Sequence, residues 1–165
     1  MEGHTFSIHH EKSIGCKKLT KADLGESYSS NQTHIGLSQK VFTYMSINEE
    51  YESSILLYEG NKYKLTCYVD KIVREESIGA SKIRRGYNYS SIVDKIRLIA
   101  SSIPMTTWYL VWFGRNDGTP MFWLIREGSE DYKLMARFLE SKMIVYNDYS
   151  YLYRHILKII IEKFS

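Results

Sequence analysis

Between residues 82 and 88 the chain reads Lys-Ile-Arg-Arg-Gly-Tyr-Asn, which places Lys82, Arg84, Arg85 and Asn88 within seven positions. An arginine fork can grip a guanine edge or a phosphate, a lysine neutralises phosphate, and an asparagine amide pairs with adenine in the major groove. Lys71 and Arg74 lie just upstream, so residues 71–97 carry seven bases against three acids. That surplus exceeds the net charge of +3 for the whole chain, whereas residues 43–70 carry five acids against two bases. Positive charge is gathered in one segment, as a surface for a polyanion requires. The bland alternative is a solvated basic loop between a hairpin and a later strand.

A second stretch combines Lys17, Lys18 and Lys21 with the polar run Ser29-Ser30-Asn31-Gln32-Thr33-His34, followed at once by Ile35-Gly36-Leu37. Donors and acceptors at this density suit base edges. A turn-rich surface loop accounts for the same composition.

Catalytic patterns are weaker. His4, His9, His10, His34 and Cys16 are dispersed and lack the paired spacing of a zinc site, so no metal site is expected. Asp131-Tyr-Lys133 and Glu140-Ser-Lys142 match the acid-x-Lys half of the PD-(D/E)xK magnesium nuclease motif. Both fall on a predicted helix with no suitable upstream aspartate, which leaves a compact nuclease as the alternative reading. Trp108, Trp112, Phe113, Phe122 and Trp123 could stack on bases or fill a barrel interior; their alternation along two strands favours the interior.

The elements that must hold these residues read as mainly β. Ile55–Val73 carries β-branched and aromatic residues on both sides of Glu59-Gly60-Asn61, which predicts a hairpin. Thr107–Phe113 and Met121–Ile125 predict another around Gly114-Arg-Asn-Asp-Gly118. Ser129-Glu130-Asp131 opens a predicted helix to residue 141, with Leu134, Met135, Phe138 and Leu139 on one face. Leu152, Ile156, Ile159 and Ile160 recur at helical spacing over Tyr151–Phe164, although Ile159-Ile160-Ile161 also suits a strand. With 165 residues, 44% of them hydrophobic, the chain is expected to form one domain, a β barrel or sandwich with helical additions. Two cysteines and no secretory pattern point to the cytoplasm, and no apolar run approaches the ~20 residues of a membrane span, so no membrane partner is expected.

Lys18-Leu-Thr-Lys-Ala-Asp-Leu-Gly25, followed by Gln32-Thr-His-Ile-Gly-Leu37, resembles the opening motif of the N-terminal effector-binding domain of EcoRII-type restriction endonucleases. Two positions depart from that pattern: Thr33-His34 stands where the family more often has His-Gln, and Ser38-Gln39 lacks its proline. The resemblance implies a B3-like DNA-binding pseudobarrel that grips a major groove between an N-arm, residues 17–34, and a C-arm, residues 71–88. Lys18, Lys21, Asp23, Gln32, Thr33 and His34 fall on the N-arm motif, while Lys82, Arg84 and Arg85 match the C-arm only as a similarly placed basic cluster. Side-chain type alone then assigns Gln32, Thr33, His34, Arg84, Arg85 and Asn88 to base edges, and Lys17, Lys18, Lys21, Lys71, Arg74 and Lys82 to the DNA backbone. The partners implied are double-stranded DNA and a nuclease domain or subunit, with no catalytic residue or cofactor in this domain and magnesium only where a nuclease is attached. A reader of modified bases and a protein-interaction module remain the other classes.

Overall fold

The computed structural model describes residues 14–26, 34–38, 51–70, 80–84, 92–115, 119–141, 144–145 and 150–165. Seven strands form one sheet: β1 (Gly15–Lys18), β2 (His34–Ser38), β3 (Tyr51–Tyr58), β4 (Asn61–Asp70), β5 (Ala80–Arg84), β6 (Trp108–Gly114) and β7 (Pro120–Arg126). Three helices lie among the described residues, α1 (Ile92–Ser101), α2 (Glu130–Ser141) and α3 (Tyr151–Phe164). The fold is mainly β with helical additions.

Strand order is β1-β6-β7-β3-β4-β5-β2, antiparallel throughout except for the β3–β7 pair. Among the described residues no ladder joins β1 to β2, so the sheet is open and does not close as the barrel expected from the sequence. Both predicted hairpins form. In the first, β3 and β4 meet through Glu59 at φ 45° and Gly60 at φ 85°, the paired positive φ angles of a type I′ turn that matches strand twist. The second joins β6 to β7, with the Arg115 amide donating to the Thr119 carbonyl at 2.9 Å.

Two cores use opposite faces of this sheet. On one, Cys16, Leu57, Val111, Phe113, Met121, Trp123 and Ile125 pack against α2 and α3. On the other, Leu56, Trp108, Leu110, Trp112, Phe122 and Leu124 pack against Ile92, Val93, Ile96 and Ala100 of α1. Every residue of β6 is buried, as is every residue of β7 but Arg126. These strands are therefore covered on both faces, and they do not alternate between an interior and solvent as the barrel reading supposed.

The second core also takes Leu19, just beyond edge strand β1, and Ile35, in edge strand β2. A flat seven-stranded sheet would hold its edges about 29 Å apart at ~4.8 Å per neighbour. Sharing one core requires the sheet to curl around α1.

Candidate nucleic-acid interface

Residues 82–84, expected in a loop, belong to strand β5. Hydrogen bonding along β2 sets His34 opposite Arg84 and Gly36 opposite Lys82, while Tyr68 and Asp70 of β4 occupy the same rows on the other side. The intervening row contains Ile35, which is fully buried, with Ile83 and Val69 beside it. Since rows alternate between faces, His34, Arg84 and Lys82 lie at positions on the face away from the α1 core. β5 pairs with β4 only over Tyr68–Asp70 but with β2 over all five of its residues, so β2 and β5 form a two-stranded ribbon at the end of the sheet. Gln32, Thr33, Lys71, Arg74, Arg85 and Asn88 lie outside the described residues.

The first half of the expected N-arm is a built turn. Thr20 Oγ1 accepts from the Asp23 amide at 3.1 Å while Asp23 Oδ2 accepts from the Thr20 amide at 2.9 Å, a reciprocal pair of the capping-box kind. Lys17 Nζ sits 3.1 and 3.0 Å from the two Asp23 oxygens, and Asp23 is only 1% exposed. From α1, Arg97 donates through Nε to the Asp23 carbonyl at 2.9 Å and through Nη2 to the Ala22 carbonyl at 3.3 Å. Gly25 adopts φ 75°, and a Cβ there would approach Arg97 Nε to 3.3 Å, so both its backbone angle and its neighbour favour glycine. Leu19 anchors the turn in the α1 core. Lys18 and Lys21 are exposed, whereas the charge of Lys17 is held by Asp23.

The two halves of the N-arm thus occupy opposite ends of the strand order, Lys17 and Lys18 on β1 and His34 on β2. α1 spans the gap: it touches the 20–25 turn through Arg97 and packs against β4 and β5. Sequence reading missed this helix and Arg97, although Ile92, Val93, Ile96 and Ala100 recur at helical spacing.

The residues of the competing readings have other partners. Asp131 is buried on α2, where it accepts from Trp123 Nε1 at 3.1 Å and lies 3.4 Å from Lys163. Glu140 accepts from the Tyr132 hydroxyl at 2.8 Å, and that bond to a carboxylate is the main reason the phenol is pushed up to about 12. Lys133 pairs with Glu130 at 3.1 Å, and Lys142 lies outside the described residues. Trp108, Trp112, Phe113, Phe122 and Trp123 are all buried, which removes the stacking platform. Among the described residues no group of three or more His, Cys, Asp or Glu side chains is set to hold a metal ion, and no helix is long and apolar enough to cross a membrane. A scan against protein-family models, a search of curated proteins and a search of solved structures each found no match.

Proposed function

We propose that this chain recognises a sequence in double-stranded DNA, as the B3-like target-binding part of a restriction system whose cleavage comes from a nuclease domain or subunit. The observation that carries the reading is the register of β2 and β5: His34 and Arg84, singled out from separate segments, occupy directly opposed positions in one ribbon. A two-stranded ribbon fits the major groove of B-form DNA, and its side chains can then meet base edges. In this reading Gln32, Thr33, His34, Arg84, Arg85 and Asn88 read bases. Lys18, Lys21, Lys71, Arg74 and Lys82 contact phosphate, while Lys17 contributes mainly by fixing the turn through Asp23.

Selection from a randomised duplex pool, without metal and at moderate salt, tests this directly. One short enriched motif is expected. On that motif Arg84→Ala should cost ~1–3 kcal/mol and relax a single position, whereas Lys18→Ala should weaken all sequences alike. A pool that is not retained sinks the proposal.

A further inference from the structure

β5 covers only the last three residues of β4, so among the described residues the first part of β4, from Asn61 to Cys67, has no strand paired on that side. There a concave pocket of about 440 Å³ opens between β4 and α1, lined by Lys62, Tyr63, Lys64, Leu65, Asp94, Lys95 and Leu98. Its charged lining is three lysines and one aspartate. Lys95 Nζ stands 4.3 Å above the Tyr63 ring, a cation–π contact that fixes this ammonium at the wall. Lys62 Nζ is fixed as well, donating to the main-chain carbonyls of Phe164 at 2.8 Å and Ser165 at 3.3 Å, while Lys64 is exposed.

Alternation along β4 puts Lys62 and Lys64 in the same set of rows as Tyr68 and Asp70, the positions that register with Arg84 and Lys82. Lys62 and Lys64 therefore share a sheet face with the ribbon bases, whereas Lys95, on α1 and over Tyr63, lies on the other face, so the pocket straddles the β4 edge that β5 leaves uncovered. A concave site with excess positive charge concentrates anions more strongly than dispersed lysines on a convex surface.

We infer that this pocket is a phosphate-binding site, occupied by the DNA backbone beside the sequence that the ribbon reads, with Lys64 and Lys95 supplying the contacts. The inference rests on the DNA reading above. Lys64 stands six residues before Asp70, the partner of Lys82, a separation of about 20 Å at ~3.4 Å per residue. That corresponds to about six base-pair steps of duplex.

Affinity for the selected motif, measured by fluorescence anisotropy across a salt series, tests the inference on duplexes with long or trimmed flanks. Each lost phosphate contact lowers the slope of log affinity against log salt by about 0.9. Lys64→Gln, at an exposed position, should remove about one such step, and the Lys64→Ala/Lys95→Ala pair about two, with the preferred motif unchanged. Trimming the flank should reproduce the double variant's loss in the wild-type protein. A wild-type slope in a folded double variant overturns the inference alone, while failure of the wild-type protein to bind any duplex overturns it together with the DNA reading. Titration with inorganic phosphate separates the two sources of the ligand: a phosphate site lost in the double variant, beside an unchanged duplex slope, would make it a free-anion site and overturn the backbone assignment.

Discussion

Asp23 is almost fully enclosed, yet its carboxylate meets the Thr20 amide and the Lys17 ammonium, and its carbonyl takes the Arg97 Nε proton. Each interaction is charge-assisted, which makes it stronger than a neutral hydrogen bond. The motif Leu19-Thr-Lys-Ala-Asp-Leu-Gly25 is accordingly a structural unit: Leu19, Thr20, Asp23 and Gly25 build the turn, and Lys18 and Lys21 are left on its surface. Removing the carboxylate takes away the acceptor of the Thr20 amide and the counter-charge of the Lys17 ammonium. Asp23→Ala should cost about 2–3 kcal/mol in urea unfolding with an unchanged m value. A loss within the ~0.5 kcal/mol scatter of surface substitutions would show that the turn does not depend on this side chain. Residue types in the motif were legible in the sequence. Their division into builders and surface charges was not, because Arg97, more than seventy positions away, is one of the partners.

At the level of elements, α3 was the ambiguous one. Its triplet Ile159-Ile160-Ile161 favours a strand locally, since β-branched side chains lose rotamer freedom in a helix. Burial settles the contest: Tyr153, Ile156, Ile159, Ile160 and Phe164 form one stripe against the sheet, which a strand of the same residues could not present. The start is set by Ser150, extended at φ −65° and ψ 145°, whose Oγ accepts from the Tyr153 amide at 3.1 Å. Ser150→Ala should destabilise the protein by about 1 kcal/mol in thermal unfolding, and Ser150→Asp should retain most of that stability because aspartate caps equally well. Equal losses for the two would place the serine's role elsewhere. α2 begins in the same way, with Ser129 Oγ accepting from the Tyr132 amide at 3.2 Å. Its predicted apolar face needs one correction, since Leu134 is 47% exposed while Met135, Phe138 and Leu139 are buried. Leu134 lies at the rim of the α2–α3 groove instead of under the sheet.

Over the whole molecule, β6 and β7 serve two cores at once, so neither core should survive loss of the other. The three tryptophans divide between them, Trp108 and Trp112 on the α1 side and Trp123 on the α2–α3 side. In a Trp108→Phe/Trp112→Phe variant, fluorescence reports the α2–α3 core alone, whereas far-ultraviolet circular dichroism reports all elements. The two urea transitions should coincide, as they should in the wild-type protein. Separated midpoints would mean that the α1 layer unfolds independently and that the curled sheet is not one cooperative unit.

The sequence by itself determined the two hairpins, the α2 helix and the identity of the aromatic core, because turn residues, caps and hydrophobic spacing act over a few neighbouring positions. It also located the two basic segments. Tertiary structure decided the parallel β3–β7 contact, the β2–β5 ribbon and the curl that brings Leu19 and Ile35 into one core. It decided too that Lys17 is held by Asp23, and that Lys64 and Lys95 meet at a pocket although 31 positions separate them in the chain. Pairings of this kind leave no local pattern, since each side chain's neighbours come from segments whose spacing along the chain says nothing about their distance in space.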